Sequence, residues 1–365
     1  MTLNTIALEL VPPNLDRGAE QAVEEAHKVV QHAAKSGIEG RIGHVMMPGL
    51  IEEDDDRPVE MKPKMDVLDF WSAIKPELPG VRGLCSQVTA FMDESALRRR
   101  LGNLVEAGID GFVLKSHYVP TAERASVVNR AVPGARAIGA ITLNAAVGGM
   151  NAMAVEIAAM EGARVVWFPT FDALNEPIGR SLPRPGEVVP LWAAIQRDLR
   201  ARGFVSDPVL VVDDENHVLP QVVDVLRVIA HHNMVLATGH LSRDEIFAVV
   251  DAALAQGIKR IIVTHPEFPS QNISPEDQYA LGERGAFLER CFTTAYTGKT
   301  RWETVFTNIR KSKPEHSFIS TDLGQPANPA VETGFALMAD RLLAAGFSTD
   351  EIELMTVANT RALAA

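Results

Sequence analysis

The sequence predicts an α/β protein, specifically a (β/α)8 barrel of the TIM type with an N-terminal β/α extension. Three observations lead to this prediction. Short runs rich in β-branched residues alternate with helical stretches almost to the end of the chain. The runs are continuously apolar, which is typical of parallel strands covered on both faces. Counted from residue 82, eight strand–helix units fill about 280 residues, the usual size of such a barrel.

Each barrel strand is predicted from one apolar run. In chain order the runs are 82–89, 111–116, 136–143, 164–169, 234–240, 260–265, 286–291 and 317–322. A further run, 208–213, is set aside from the count. An open doubly wound sheet is the alternative, but it would require a glycine-rich phosphate loop after its first strand, and the sequence has none.

Helix boundaries are marked by capping residues. One helix is predicted to begin at Asp93 and to end at Gly108. Further helix starts are predicted at the capping boxes Ser242–Glu245 and Ser348–Glu351, and at Ser274, which is followed by Pro275.

The N-terminal extension, residues 1–80, is predicted to pack on the barrel formed by residues 81–365. It contains apolar runs at 5–11 and 40–47 and a helix at about 16–36. Its acidic run, 52–56, is either a solvated loop or a cation site.

Charge and cysteine usage exclude several classes of protein. The chain of 365 residues has 47 acidic and 35 basic side chains, a formal net charge of −12, and scattered lysines and arginines. Nucleic-acid binding needs a concentrated basic face, so it is not expected. No run approaches the ~18 apolar residues of a membrane span. Two distant cysteines, Cys85 and Cys291, form no disulfide framework, which favours the cytoplasm. We expect a small-molecule substrate, and either a homo-oligomer or a paired subunit.

Ionisable residues stand at the ends of four predicted strands. Lys115 and His117 end the second strand, His240 the fifth, His265 the sixth and Asp322 the eighth. Active sites of such barrels form at the carboxyl ends of the strands, where these side chains would converge. Two imidazoles and a carboxylate are suitable ligands for a divalent ion such as Zn²⁺, so His240, His265 and Asp322 are the candidate metal ligands. A hydrogen-bonded structural role is the alternative for each histidine, and the role of His217 stays open.

Polar loops follow some of the same strands. Asn144, Gly148, Gly149 and Asn151 precede a helix, where paired glycines let backbone N–H groups approach an anion. The same glycine pair also suits a tight turn. Gln325 lies three residues after Asp322. These residues are candidates for substrate binding.

Six motifs in order carry a family resemblance: GFVLKSHYVPT, AITLNAAVGGMNAMAVE, VVWFPTFDA, VLATGHLS, VTHP and STDLGQPANP. With them, residues 82–365 resemble an uncharacterised branch of the amidohydrolase-like metal-dependent hydrolases. The resemblance implies a barrel in which His240, His265 and Asp322 are metal ligands and Asp322 helps to deprotonate the attacking water. It also implies hydrolysis of a C–N or C–O bond.

The chain departs from that family at the first predicted strand. A His-x-His pair is replaced by Cys85 and Gln87, which makes a two-metal centre unexpected and predicts one divalent metal, zinc in the first place. Cys85 and Gln87 are then expected to face substrate or to fill space. Lys115 and His117 are expected to stabilise the substrate or an oxyanion.

The N-terminal residues carry a second resemblance. Glu9-Leu-Val-Pro12-Pro13 is similar to the opening of methylenetetrahydrofolate reductases, which are flavin-dependent barrels with a glutamate as acid. Three functions therefore remain open. The first is a mononuclear metal-dependent hydrolase or lyase, the second a flavin/folate-type reductase or C1-transfer enzyme that uses Glu9, and the third a non-catalytic subunit that has lost its His-x-His pair.

Overall fold

The computed structural model describes residue 109 and residues 111–131, 136–176, 191–324 and 328–364. These residues belong to one compact unit. The predicted N-terminal extension, the first barrel strand (82–89) and the helix between Asp93 and Gly108 lie outside the described residues.

The sheet of this unit contains seven strands, all parallel, in the spatial order β1 to β7. The strands are β1 (Phe112–Val113), β2 (Ala137–Thr142), β3 (Ala163–Trp167), β4 (Val235–Ala237), β5 (Ile261–Val263), β6 (Ala286–Cys291) and β7 (Ser317–Ser320). They correspond to the second to eighth predicted strands. The order never reverses, as it would in a doubly wound sheet, so the alternative fold is wrong.

Alternating side chains of the strands enter two different apolar clusters. Ala140, Trp167, Ala237 and Ile262 form an inner cluster with Phe318 of β7. Their neighbours along the strands pack outward, in a larger cluster that includes Ile141, Val166, Leu236 and Val263. Side chains from β2 and β7 can share one inner cluster only if the sheet curls around it. The fold is therefore an α/β barrel of the TIM type, and the two clusters explain why strands such as β4 and β5 are apolar on both faces.

Helices connect the strands and cover the outer face. They are α1 (Ala122–Ala131), α2 (Ala152–Met160), α3 (Leu191–Ala201), α4 (Pro220–His231), α5 (Arg243–Ala255), α6 (Pro275–Glu283), α7 (Phe292–Tyr296), α8 (Trp302–Ser312), α9 (Val331–Ala344), α10 (Thr349–Glu353) and α11 (Asn359–Ala364). Short 3-10 turns lie at Ala145–Val147 and Pro314–His316, and a π-helical segment at Leu354–Ala358 joins α10 to α11. Within the described part of the chain, no helix has the length and apolarity needed to cross a membrane.

The three helix starts that fall on described residues are confirmed. Both capping boxes, at Ser242 and at Ser348, are formed in full. Ser274 caps α6, with Pro275 in the first turn. The run 208–213 forms only isolated bridges, one from Val209 to Ala173, so its omission from the strand count was correct.

Candidate functional site

The five strand-end residues of the predicted site lie at one edge of the barrel. Lys115 and His117 follow β1, His240 follows β4, His265 follows β5 and Asp322 follows β7. Because all the strands are parallel, these positions share the carboxyl edge, where the loops after the strands converge.

His240 is held by a buried carboxylate that the sequence did not reveal. Nδ1 of His240 lies 2.7 Å from Oε2 of Glu176, and the Glu176 side chain has no exposed surface. The hydroxyl of Ser270 donates to the same oxygen at 2.9 Å. A carboxylate only accepts hydrogen bonds, so Nδ1 of His240 carries a proton, and in the neutral form of the ring the free lone pair is on Nε2.

His265 lies directly beside His240. Their ring centroids are 4.9 Å apart, and the buried Phe268 ring contacts both of them, at 4.9 Å from His265 and 5.4 Å from His240. Nδ1 of His265 is buried and has no hydrogen-bond partner. Burial, and then the neighbouring charges of His240 and Lys115, hold the pKa of His265 well below its usual value. The ring is therefore neutral at pH 7 and offers lone pairs rather than charge.

Backbone strain accompanies these positions. His265 and Asp322 have φ angles of 25° and 51°, a region that residues other than glycine rarely adopt. Gly239, just before His240, has a φ of 63°, and a Cβ there would lie 2.4 Å from the carbonyl oxygens of Phe168 and Pro169. Only glycine can bring His240 so close to the end of β3, and strain of this kind is concentrated at functional sites.

His117 belongs to a hydrogen-bonded group around Asn144. Nδ1 of His117 is bonded to the Thr170 hydroxyl at 2.9 Å. The amide of Asn144 donates to that hydroxyl at 2.8 Å and to the carbonyl of His117 at 3.0 Å, and its oxygen accepts from the backbone of Thr170 at 2.8 Å. Burial, followed by the charges of Lys115 and His240, lowers the pKa of His117 well below its usual value. Asn144 thus has a structural part in joining the loops after β1, β2 and β3.

The paired glycines after β2 form a tight turn. Gly148 and Gly149 have φ angles of 87° and 67°. Asn151 caps α2 by accepting from the backbone N–H of Ala154 at 3.1 Å, and its amide donates to Val147 at 3.3 Å. This geometry accounts for the motif locally, while its predicted part in substrate binding stays a prediction.

Glu289 is a second acid that sequence reasoning missed. It lies in the second half of β6, where it accepts hydrogen bonds from the Ser320 hydroxyl at 2.9 Å and from the backbone N–H of His265. Burial raises its pKa, with Asp322 adding to the rise and Lys115 opposing it. An acid next to an arginine in the strand run AFLERC was the available signal. Glu176 gave none, because it lies in an irregular loop and meets His240 only through the fold.

Asp322 is exposed, and its carboxylate accepts from the Thr293 hydroxyl at 3.2 Å. Among the described residues, the only trio of metal-ligand atoms within 4.8 Å of one another is Asp213, Glu215 and His217. The predicted trio of His240, His265 and Asp322 therefore does not meet that spacing. The first trio is exposed, in a loop that Asp213 organises by accepting from the backbone of His217 at 2.7 Å. The predicted site residues Cys85, Gln87 and Gln325, and Glu9 of the alternative, lie outside the described residues.

Fold and site together define an α/β barrel with neutral histidines and buried carboxylates at the carboxyl edge of its strands. The chain belongs to a family of unknown function (DUF6282), whose model matches residues 95–289, more than half of the sequence. A second family model, that of mycobacterial methylenetetrahydrofolate reductase, matches residues 2–133. This match bears out the resemblance seen at Glu9. A comparison with curated proteins found no match.

Several solved structures are similar to the chain at low identity. The phosphotriesterase homology protein of Escherichia coli is 12% identical with a TM-score of 0.45, and the match covers 81% of this chain and 93% of that one. An organophosphorus hydrolase of Deinococcus radiodurans is 14% identical with a TM-score of 0.47, over 78% and 88% of the two chains. A metallopeptidase of Rhodobacter sphaeroides is 14% identical with a TM-score of 0.43, over 74% and 72%. Similarity of this size assigns no activity.

Proposed function

We propose that the protein is a metal-dependent hydrolase or lyase of the amidohydrolase-like type, acting on a small polar substrate with an amide, imide or ester bond. The observation that carries the proposal is the buried hydrogen bond between Glu176 and His240 beside a neutral His265. Histidines that bind metals characteristically donate their other ring N–H to a carboxylate, which fixes the tautomer and makes the ligand more basic. A histidine with only a structural role does not need a fully buried carboxylate to fix its tautomer or to raise its basicity.

The residues present fit a metal ion on three counts. Nε2 of His240 is left with its lone pair by the bond to Glu176. Nδ1 of His265 is buried without a partner, an arrangement that costs free energy unless something binds there. The ring is also neutral, as a ligand must be.

In this proposal His240 and His265 hold the ion and Asp322 supplies the third ligand. Two imidazoles and one carboxylate favour zinc among the common divalent ions. When bound, the metal supplies Lewis acidity toward a carbonyl oxygen and lowers the pKa of water. Asp322 is exposed at the edge of the barrel, and its carboxylate would have to approach the two histidines when the ion binds, because the three groups do not lie within 4.8 Å of one another in this structure.

The remaining groups act on the substrate. Asp322 takes the proton of the attacking water, and its strained backbone holds the carboxylate at the end of β7. His117 follows β1 at the same edge, where its ring N–H stabilises the oxyanion that forms on the carbonyl, and Lys115 beside it binds the substrate. Thr170 fixes the ring of His117 for that purpose.

Metal content tests the proposal directly. The protein is purified without chelator, and its metals are measured by mass spectrometry for wild type, H240A and C85S. We expect about one equivalent of zinc in wild type and in C85S, and none in H240A. Loss of metal in C85S would mean that the first predicted strand coordinates the ion. A wild-type protein that binds no added zinc would overturn the proposal and leave the reductase and the non-catalytic subunit.

A second candidate function, a flavin/folate-type reductase or C1-transfer enzyme, is favoured by the family match over residues 2–133. In that case Glu9 is the acid, and the barrel binds a flavin. A flavin absorbance band in the purified protein, lost on denaturation and filtration, would support this candidate. A colourless protein that contains zinc would exclude it.

A further inference from the structure

Two lysines at the mouth of the barrel place their charges over aromatic rings. Nζ of Lys115 lies 5.1 Å from the centroid of the Trp167 ring, and Nζ of Lys299 lies 4.6 Å from that of Phe268. Among the described residues, neither ammonium has a carboxylate within ion-pair distance. Lys311, by contrast, is paired with Glu276 at 3.4 Å on the outer surface.

Lys299 lies next to the histidines of the proposed metal centre through the ring that it covers. The ring that Lys299 covers, Phe268, is buried and contacts the rings of His240 and His265. Both ammonium groups are also within electrostatic reach of the His265 ring.

The backbone keeps Lys299 in this place. The loop after α7 folds back on that helix, so that the N–H groups of Lys299 and Thr300 both donate to the carbonyl of Thr294, at 3.0 and 3.2 Å. Thr294 is itself buried. The chain thus holds an exposed lysine beside the histidines instead of releasing it toward solvent.

Glu289 is the acid of this site that interacts with Lys115, but it forms no ion pair with the ammonium group. Glu289 interacts with Lys115 electrostatically, but its hydrogen bonds go to Ser320 and to the backbone of His265. The other carboxylates at this edge, Glu176 and Asp322, also accept their hydrogen bonds from groups other than the two lysines. Two ammonium groups without an ion pair among the described residues favour binding of an anionic ligand.

We propose that Lys115 and Lys299 form a subsite for an oxyanion group of the substrate, a carboxylate or a phosphate. The inference rests on the proposed function and narrows it: the substrate is an acidic amide, imide or ester, with its anionic group outside the bond that is cleaved. Lysine acts here as a point charge that both oxyanions satisfy.

Binding of simple anions tests the subsite without knowledge of the substrate. Inorganic phosphate and acetate are titrated separately into the purified protein by calorimetry at low ionic strength, and the metal content of each sample is measured in parallel. The variants are K299Q, K115Q and the charge-preserving K299R. K311Q is the matched control, because it removes one surface charge from an ion pair.

We expect K299Q and K115Q each to weaken anion binding about tenfold, the effect of losing one charge-assisted hydrogen bond. K299R and K311Q should bind as wild type does, and all variants should keep the wild-type metal content. Preference for phosphate or for acetate identifies the group. The inference is overturned if wild type binds neither anion, or if K299Q binds as tightly as K311Q, since the anion then contacts only the metal or another surface. If anion binding depends on Lys299 but the protein contains no metal, the subsite is supported and the proposed metal-dependent hydrolase is wrong.

Discussion

Glu176 and His240 share a buried hydrogen bond of 2.7 Å, although 64 positions separate them in the sequence. Glu176 lies in the loop after β3 and His240 in the loop after β4, so the bond ties together two neighbouring loops at the mouth of the barrel. It also decides which nitrogen of His240 is available to a ligand.

Removal of that carboxylate should loosen the metal. For E176A we expect metal affinity to fall about 10–100-fold, the usual effect of losing a carboxylate behind a ligating histidine. E176Q keeps a hydrogen-bond acceptor without the charge, so its metal affinity should lie between those of E176A and wild type. Competition with a chromogenic chelator measures the affinity. S270A is the control, because it removes another bond to Glu176 and leaves His240 in contact with it. Equal affinity in E176A and S270A would contradict the role given to the carboxylate.

His117 should make the protein less stable in acid. Its pKa in the folded state lies well below the usual 6.5, so the unfolded chain takes up the proton first. Stability is therefore highest above about pH 6.5 and falls as the pH decreases toward the folded pKa, by up to about 1.4 kcal/mol per pH unit. Urea unfolding of wild type and H117N between pH 7.5 and 5 measures this. The free energy of unfolding should depend on pH less steeply in H117N, by the uptake of one proton. Identical slopes in the two proteins would show that His117 is not buried in its neutral form.

Gly239 should tolerate no side chain. In G239A the new Cβ meets two backbone carbonyl oxygens at 2.4 Å, which cannot rotate away. G257A is the matched control, since Gly257 has a φ of 81° and nothing within 4 Å of an added Cβ. G257A should lower the free energy of unfolding by about 1–2 kcal/mol, the penalty of a left-handed backbone alone. We expect G239A to be clearly less stable by urea unfolding and to lose metal, because His240 is its neighbour. Equal stabilities would mean that the chain relaxes at this point.

Arg290 should be essential for stability without taking part in chemistry. It is fully buried and pairs with Glu267, while its other donors reach Gln278, Ser312 and Ser317. R290M leaves a buried carboxylate unpaired and should cost about 3–5 kcal/mol in urea unfolding. The double variant R290M/E267L should recover part of this loss, because no charge is then left unpaired.

The exposed pair of Arg227 and Asp224, at 2.8 Å, supplies the comparison for that experiment. R227A should cost less than about 1 kcal/mol, since solvent screens such pairs. A similar loss in R290M and R227A would contradict the importance of burial.

The sequence by itself determined the barrel and the edge at which its polar residues stand. Apolar runs such as 234–240 and 260–265 report burial on both faces, and that property is local, so it can be read without knowing what each strand packs against. The capping boxes at Ser242 and Ser348 are equally local, because both partners lie within one turn of helix.

Only the tertiary structure decided which groups surround His240 and His265. Glu176, Glu289 and Lys299 reach these histidines from loops and strands far away in the sequence, and no short-range pattern records such a contact. The same is true of protonation, because the pKa of His265 depends on burial and on charges that the fold brings near it. A sequence can place a histidine at the end of a strand, but the packing of other segments around it decides whether it is neutral, oriented and able to bind a ligand.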